Sequence, residues 1–361
     1  MAHPEAGRPE IDVFLAGTVF LDVIFTGLDR LPAPGTEVWA TGMGSSPGGI
    51  ANLAVAASRL GLRTALGAAF GDDAYADFCW RTLADQERVD LSYSRRFTDW
   101  HSPVTVSMAV DRDRSMVTHE HPPPMSMDAI VGDPPACRAA MIDITPHARS
   151  DAGLLPDWVR VAHDRGTLVF ADVGWDPTGG WPAELLEELR WCHAFTPNAV
   201  EAMGYTRTST PDAAVRALAE LVPLAVVTDG PRGVLAIDAS TGEQAQVPAL
   251  DVPAIDPTGA GDVFGAAMVR GTLAGWPLRQ RLAFAACCSA LAVQHFGGSL
   301  AAPGWGDLSD WLSRVKAQVA DGSRAASVLL HSYQFLEEAL PKGPSLAVRR
   351  ATATIARLSD A

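Results

Sequence analysis

The chain has 361 residues and a formal net charge of −14, with 42 acidic against 28 basic side chains. So acidic a balance argues against nucleic acid or an anionic membrane surface as the main partner. With 48% hydrophobic and 19% charged residues, the chain can form one large α/β domain or two small ones.

The termini and cysteines give the first expectations about location. The first ten residues are polar and carry no apolar signal region, and no apolar run approaches membrane-spanning length. The five cysteines show neither a CxxC motif nor a Cys/His metal-binding spacing. We therefore expect a cytoplasmic protein with reduced thiols.

Short apolar segments alternate with helical segments along most of the chain. The run IDVFLAG at 11–17 predicts a buried strand, and IANLAVAASRLG at 50–61 predicts a buried helix that stops at Gly61. The same pattern predicts strands at 64–71, 139–144, 167–173, 193–198 and 224–230, and helices at 154–165, 183–191 and 211–221. Such alternation favours a mostly parallel sheet with helices on both faces.

Two segments interrupt this rhythm. Residues 18–45 are rich in turn formers and alternate between polar and apolar, and residues 101–119 alternate around DRDR as a hairpin does. We expect them to form a small antiparallel sheet that stands off the main domain and closes over a ligand. The alternative is a surface hairpin without a role. Beyond residue 305 the sequence predicts helices to which we assign no function.

Polar motifs lie where ligands of open α/β sheets bind, at the carboxyl ends of the predicted strands. They are GTVFLD (17–22), SPGGIAN (46–52), TPNAVE (196–201), TDGPRG (228–233) and DPTGAGD (256–262). In the last of these, glycine-rich backbone precedes a predicted helix, so its N–H groups can hold an anion beside Asp262.

Each motif also has a purely structural explanation when taken alone. Asp262 suits a charged first helical turn, and Asn198 with Glu201 has the spacing of a capping box. TDGPRG suits a tight turn, Gly48-Gly49 a helix entry, and Asp22 a turn. Their common location is what favours a shared site.

Two familiar nucleotide-binding motifs are missing from the sequence. There is no GxxxxGK[ST] motif, and the only two lysines, Lys316 and Lys342, lie outside any glycine turn. A P-loop kinase is therefore disfavoured. The first strand is also not followed by GxGxxG, which argues against a dinucleotide-dependent oxidoreductase.

The motifs taken together resemble the ribokinase-like (pfkB) carbohydrate kinase family, over residues from about 11 to 305. GGIANLAVAASRLGLRTALGAAFGDD resembles the family's N-terminal signature, DPTGAGDVFGAA its C-terminal signature, and TPNAVE its N-x-x-E magnesium motif. There are two departures. The first signature is one residue short or has Pro47 in place of its first glycine, and Pro257 stands where Thr often follows the first acid of the second signature. Neither departure removes a reacting group.

The resemblance implies a fold and a domain plan. The fold is a ribokinase-like three-layer α/β sandwich with a mostly parallel central sheet and a small antiparallel β lid. The kinase domain spans 11–305, its lid is built from about 18–45 and 97–121, and residues 306–361 form a C-terminal helical extension. A homodimer through the lid is a further implication.

The resemblance also implies roles for particular residues. Asp262 would be the general base, beside an anion hole made by the N–H groups of Gly259, Ala260, Gly261 and Asp262. The acceptor hydroxyls would be held by Asp22, Gly48, Gly49 and Asn52, and ATP by Asn198, Thr228, Gly230 and Arg232. Glu201 would orient Mg²⁺ through water, and Asp256 and Thr258 resemble a monovalent-cation site whose use of K⁺ stays open.

The sequence thus predicts ATP-dependent phosphorylation of a hydroxyl on an unphosphorylated sugar. Family members that act on phosphosugars tend to place Lys near the first glycine motif, where this chain has Ile50. A nucleoside or a cyclitol is the alternative acceptor, and a nucleoside would need an apolar slot such as one formed by Met108, Met116, Trp39 and Trp175. A non-catalytic sugar-binding regulator is the alternative from another class.

Overall fold

The computed structural model describes residues 10–110, 113–144, 154–174 and 178–350. Strands within these ranges are numbered along the chain. They are β1 (Ile11–Ala16), β2 (Val19–Thr26), β3 (Gly42–Gly49), β4 (Thr64–Gly67), β5 (Ala69–Gly71), β6 (Arg95–Phe97), β7 (Val104–Val110), β8 (Asp113–His119), β9 (Cys137–Ile144), β10 (Leu168–Val173), β11 (Ala194–Phe195), β12 (Leu224–Thr228), β13 (Val234–Asp238) and β14 (Glu243–Val247).

The α-helices of the described residues are numbered in the same way. They are α1 (Ile50–Arg59), α2 (Ala74–Arg81), α3 (Met127–Val131), α4 (Asp157–Asp164), α5 (Glu184–Glu188), α6 (Ala199–Thr206), α7 (Pro211–Leu218), α8 (Ala260–Leu273), α9 (Leu278–Ala292), α10 (Gly298–Ala301), α11 (Trp305–Ala320), α12 (Arg324–Tyr333) and α13 (Leu336–Ala339). A π-helical turn (Thr82–Gln86) and short 3₁₀ turns (Leu189–Trp191, Gly230–Arg232, Pro344–Ala347) complete the helical structure.

The main sheet has eight strands in the order β14-β13-β12-β11-β10-β9-β1-β4. The strands from β12 to β4 are parallel, and β13 and β14 add an antiparallel hairpin at one edge. Both faces are covered, because alternate residues of β1 enter two different hydrophobic clusters: Val13 and Leu15 pack with α1, α8 and α9, whereas Phe14 packs with α4 and α7. The predicted three-layer α/β sandwich is confirmed.

A second, smaller sheet has the strand order β3-β2-β7-β8 and comes from the two segments that interrupt the α/β alternation. Its two outer pairs are antiparallel, as expected for hairpins, and its central pair β2–β7 is parallel. In this register Asp22 is paired with both Ser46 and Thr105. Arg114 and Met116 lie on the same face as Asp22, because the side-chain direction alternates along each strand.

The segment 64–71, predicted as one strand, is two strands in different sheets. β4 belongs to the main sheet, and β5 pairs with β6. The break falls at Ala68, whose N–H donates to the Ser94 hydroxyl at 3.1 Å instead of to a strand. The single-strand prediction was wrong here because a side-chain acceptor replaces the backbone ladder.

The helices after residue 304 pack onto the main domain. Trp305, Leu308 and Trp311 of α11 are buried in the same cluster as α9, and Trp305 Nε1 donates to the Leu60 carbonyl at 2.8 Å. The predicted boundary between 305 and 306 falls within the first turn of α11, and the division into two parts stays a prediction. Among the described helices, not one combines the length and the apolar character needed to cross a bilayer.

Candidate active site

Asp22 of the second sheet, Asn52 of α1 and Asp262 of α8 come close together between the carboxyl edge of the main sheet and the second sheet, and we call this region the cleft. Its floor is the N-terminal turn of α8, where Gly259 has φ 73° and serves as N-cap. A Cβ at Gly259 would lie 2.8 Å from the Cα of Gly298, so the turn needs glycine for both conformation and space. The N–H groups of the first helical turn lack intrahelical acceptors, and they lie at the positive end of the helix dipole.

One of the four predicted anion-hole amides already has a partner. The Ala260 N–H donates to the Pro257 carbonyl at 3.2 Å within the turn. Gly261 lies open to the cleft, and a Cβ there would approach Asp172 Oδ2 at 3.9 Å. The first turn of α8 thus offers Gly261 and Asp262 as the better-placed donors for an anion.

Asp262 is held in place from across the cleft. Its Oδ2 accepts a hydrogen bond from Asn52 Nδ2 of α1 at 3.0 Å. Burial raises the pKa of Asp262 to about 6, and the charge of Asp143 adds to this, while the Asn52 hydrogen bond and the Arg114 charge oppose it. A carboxyl with this pKa is ionised at neutral pH and can still take up a proton readily.

Asp22 and its glycine neighbour form the opposite wall. Asp22 is 8% exposed, and Gly48 packs against its carboxylate so closely that any Cβ on Gly48 would overlap it. Gly49 has φ 63°, and a Cβ there would lie 2.5 Å from the Thr18 carbonyl oxygen. Burial raises the pKa of Asp22 to about 7, with the Asp262 charge adding to the shift and Arg114 opposing it.

One buried acceptor in this cleft has no partner among the described residues. Asn52 donates through Nδ2 to Asp262, but its buried Oδ1 receives no hydrogen bond. A buried acceptor is normally satisfied, so this oxygen is an exception in the site. Asp22, Gly48, Asn52 and Asp262 are brought together in the structure.

Two acidic residues that the sequence analysis missed extend the site along the sheet edge. Asp143 of β9 and Asp172 of β10 are paired in register, near the carboxyl ends of their strands. Burial raises the pKa of Asp172 well above its ordinary value, and the charges of Asp143 and Glu201 add to the shift. Asp143 is exposed to the cleft, yet the surrounding protein desolvates it and raises its pKa.

Asn198 and Glu201 form the capping box that their spacing suggested as an alternative. Asn198 Oδ1 accepts from the Glu201 N–H at 3.0 Å, and Glu201 Oε2 accepts from the Asn198 N–H at 2.8 Å. The cap uses Oε2 of Glu201 and does not need Oε1. Burial raises the pKa of Glu201, while its hydrogen bonds with Asn198 lower it. Capping and metal binding are therefore compatible at this residue.

The predicted ATP-binding residues lie together at the next strand end. Asn198 forms a bridge with Thr228, and the Thr228 N–H donates to the Pro197 carbonyl at 3.1 Å. Gly230 and Arg232 lie in the following 3₁₀ turn. Arg232 is 78% exposed and already binds Asp229, with Nε 2.7 Å from Oδ2. The pair uses Nε and Nη2 of Arg232, so the predicted role at a phosphate would fall to Nη1.

The turn before α8 is closed by Asp256 and by a residue from the second sheet. Asp256 accepts from the Thr258 N–H and the Gly297 N–H, both at 2.9 Å. Arg114 of β8 donates to Thr258 Oγ1 at 2.7 Å and lies 4.0 Å from Asp256 Oδ1. Sequence reasoning missed Arg114, although its place in the DRDR hairpin was visible.

The apolar slot proposed for a nucleoside base is not assembled from the four named residues. Met116 shares a face of the second sheet with Asp22, but Met108 lies on the opposite face. Trp39 is 83% exposed in the segment between β2 and β3, and Trp175 lies outside the described residues. Because side chains alternate between the two faces of a sheet, the two methionines cannot line one slot.

Fold and cleft together define a class of protein. A mostly parallel α/β sheet presents the glycine-rich N-terminal turn of α8 beside a carboxylate of raised pKa, with further carboxylates near the ends of β9 and β10. These are the parts that phosphoryl transfer to a hydroxyl requires.

Comparison with known proteins gives the family. Residues 12–304 match the model of the pfkB family of carbohydrate kinases, and the chain belongs to that family. It is 25% identical over 312 residues to ribokinase of Bacillus subtilis, covering 84% of this chain and 99% of that one. It is 26% identical to nucleoside kinase of Methanothermobacter thermautotrophicus, with 85% and 96% coverage.

A solved structure shares the fold. A putative ribokinase II from E. coli, in complex with ATP and Mg²⁺, superposes with a TM-score of 0.70 at 20% identity, covering 84% of this chain and 99% of that one. The predicted class, a phosphotransferase with an alcohol group as acceptor, is thereby confirmed, and so is the resemblance from which it came.

The raised pKa values predict a pH-dependent effect on stability. The folded state binds protons at Asp22 and Asp262 more tightly than the unfolded chain does, so their stabilising contribution is present at low pH. It is lost as the pH rises through about 6 for Asp262 and about 7 for Asp22. We expect Asp262→Asn to raise Tm by a few degrees at pH 8 and by less at pH 5, measured by calorimetry.

The exposed loop residue Asp29 provides the control for this measurement. Asp29→Asn should change Tm little and equally at the two pH values. If Asp262→Asn is no more stable than the parent chain at pH 8, the carboxylate is not desolvated as described.

Proposed function

We propose that the protein phosphorylates a hydroxyl group of an unphosphorylated sugar with ATP, using Asp262 as general base. The observation that carries the proposal is the position of Asp262 at the first turn of α8, hydrogen-bonded to Asn52 and facing Asp22. A proton acceptor, an anion site and an acceptor for substrate hydroxyls lie within one cleft. ATP as donor is supported by the related E. coli protein, whose structure was solved with ATP and Mg²⁺.

The proposed reaction uses this chain's groups in order. Asp22 accepts hydrogen bonds from the hydroxyls of the acceptor, and the Asn52 amide, which can donate and accept, helps to orient the ring. Asp262 takes the proton of the attacking hydroxyl as the hydroxyl oxygen bonds to the γ-phosphorus of ATP and the bond from that phosphorus to the bridging oxygen of ADP breaks, so that ADP is the leaving group. The amides of the 259–262 turn, with Gly261 and Asp262 foremost, stabilise the negative charge on the transferred phosphoryl group. The ADP phosphates lie toward Thr228 and Gly230.

The residues present fit a hydrated Mg²⁺ ion. Asp143, Asp172 and Glu201 supply carboxylate oxygens, which Mg²⁺ prefers, and their mutual repulsion is relieved by a cation. When bound, Mg²⁺ neutralises charge on the phosphates during transfer. Asp143 and Asp172 extend the predicted role of Glu201, which acts through water.

Arg114 provides a positive charge, in addition to that of Mg²⁺, beside the turn that forms the proposed anion hole. Its hydrogen bond to Thr258 brings the edge strand β8 down onto the turn that begins α8. A guanidinium there can stabilise the transferred phosphoryl group. The K⁺ site at Asp256 and Thr258 stays a proposal, and Arg114 at 4.0 Å from Asp256 already supplies positive charge at that position.

The acceptor is best described as a neutral polyhydroxylated ring. Asp22 and Asn52 suit vicinal hydroxyls, and the first glycine motif carries no lysine to bind the phosphate of a phosphosugar. A nucleoside remains the alternative, supported by the relative named nucleoside kinase, with a cyclitol beside it. A non-catalytic regulator is disfavoured because the proposed base and its partner are both in place.

Two further expectations concern the molecule in the cell. The face of the second sheet opposite Asp22 carries Val106, Met108 and Val117, of which Val117 is 63% exposed, and this supports a homodimer through that sheet. All five cysteines are free and buried, which supports a cytoplasmic location.

The first functional prediction concerns the base. Asp262→Asn should lower kcat by roughly two to four orders of magnitude, because general-base catalysis contributes that much, while the KM for ATP changes little. In the parent enzyme kcat/KM should fall below about pH 6, as Asp262 becomes protonated. An ADP-release assay measures both. Near-normal turnover by Asp262→Asn would show that another group is the base.

The second functional prediction concerns the metal. Glu201→Gln keeps an acceptor for the Asn198 N–H but removes the charge, so the cap survives. The Mg²⁺ concentration for half-maximal rate should rise about 10- to 100-fold. Glu187→Gln, at an exposed position of α5, is the matched control. A fall in Tm without any change in Mg²⁺ dependence would make Glu201 a capping residue alone.

The third functional prediction concerns the acceptor. A screen over ribose, fructose, 2-keto-3-deoxygluconate, common nucleosides, cyclitols and fructose phosphates should single out an unphosphorylated acceptor. Asp22→Asn should then raise the KM for that acceptor far more than the KM for ATP, because Asn accepts fewer hydrogen bonds than a carboxylate. Preference for a phosphorylated sugar, or an acceptor KM indifferent to Asp22, would contradict the proposal.

A further inference from the structure

Three of the chain's nine histidines converge at one corner of the second sheet, where His119 lies on the face opposite Asp22. His101 precedes β7, His119 ends β8, and His121 follows it. One ring nitrogen from each lies within 4.8 Å of those of the other two, and every pair of rings has a centroid distance of 5.0 Å. His101 is half-buried, and the other two are exposed.

The backbone around these rings is fixed on several sides. Val104 and His119 are paired in the β7–β8 register. Trp100 Nε1 donates to the carbonyls of His121 at 3.3 Å and Pro122 at 3.2 Å. The Ser102 N–H donates to Asp73 Oδ2 at 2.7 Å, which ties the segment to the start of α2. The backbone segments that carry the three rings are therefore held in place by hydrogen bonds.

Ring orientation adds a chemical argument. His101 Nδ1 lies 3.2 Å from the Ser102 carbonyl oxygen, which can only accept a hydrogen bond. The proton of a neutral His101 ring therefore belongs on Nδ1, and the lone pair of Nε2 is available. Donation of the second ring nitrogen to a backbone carbonyl is the usual arrangement of a metal-binding histidine.

We propose that His101, His119 and His121 bind one divalent transition-metal ion of the Zn²⁺ class, with a fourth coordination position left to water. Neutral imidazole is a preferred ligand of Zn²⁺, and a tetrahedral site needs nitrogen atoms ~3.4 Å apart, so side-chain rotations that bring the rings closer complete it. The ion fastens the end of edge strand β8 to the segment before β7, which is itself anchored to α2. Mg²⁺ does not compete, because it prefers oxygen ligands.

The test uses the full-length chain without an affinity tag, stripped of metal and free of nucleotide and sugar. Zn²⁺ titrated by calorimetry should bind at one ion per chain through this site, and Co²⁺ should give the intense visible absorption of a tetrahedral complex. His119→Ala and His121→Ala should each weaken Zn²⁺ binding at least tenfold and abolish that absorption. His331→Ala, an exposed histidine of α12, should change neither.

Two further measurements separate this site from the acidic cleft. Glu201→Gln should leave the tetrahedral Co²⁺ absorption unchanged, and millimolar Mg²⁺ should not displace Zn²⁺. Zn²⁺ should also slow hydrogen exchange in 98–102 and 119–122 in the parent chain but not in His121→Ala. Unchanged Zn²⁺ affinity in both histidine variants would overturn the proposal. Because nothing here requires turnover, the result is independent of whether the kinase function is right.

Discussion

Five carboxylates lie around one cleft between the two sheets, and the rest of the site has to compensate for the repulsion between them. Asp22, Asp143, Asp172, Glu201 and Asp262 are partly or fully desolvated, and each has a raised pKa. Like charges in a region of low dielectric repel strongly. The positive end of α8, the Asn52 amide and the Arg114 guanidinium are the groups that oppose this repulsion, and none of them neutralises it fully. The cleft is consequently suited to a cation and a proton.

Glycine makes this arrangement sterically feasible. Gly48 lets the Asp22 carboxylate lie against the backbone of β3, and Gly259 lets the α8 turn approach Gly298. At neither position does space remain for a Cβ. The glycines beside the proposed reacting groups thus permit two chain segments to approach closely. Hydrogen bonds could not bring these segments as close if a Cβ were present.

Much of the fold could be predicted from the sequence, because strands, helices and turns are indicated by patterns within short segments. Apolar runs and glycine stops identified the buried strands and the helix at 50–61, and the motif DPTGAGD located Asp262 at a helix start. What was missed depends on register between distant segments. Asp143 and Asp172 were visible as acids at the ends of two predicted strands, but only the β9–β10 pairing places them together. Arg114 reaches Thr258 only because β8 lies at the edge of a sheet whose pairing the sequence does not state. The main-sheet strand ends before Ala68, whose N–H donates to the Ser94 hydroxyl. No sequence pattern indicates this contact.

The parallel pairing of β2 with β7 has a consequence for how the protein folds. Its two strands come from separate insertions, with α1, β4, β5, α2, a π-helical turn and β6 between the insertions in the chain. Pairing segments so distant in sequence costs more loop-closure entropy than forming a hairpin, so we expect the β2–β7 ladder to form later in folding than the β7–β8 hairpin. Neither insertion could be moved to another scaffold as a complete sheet, because each one carries only two of the four strands.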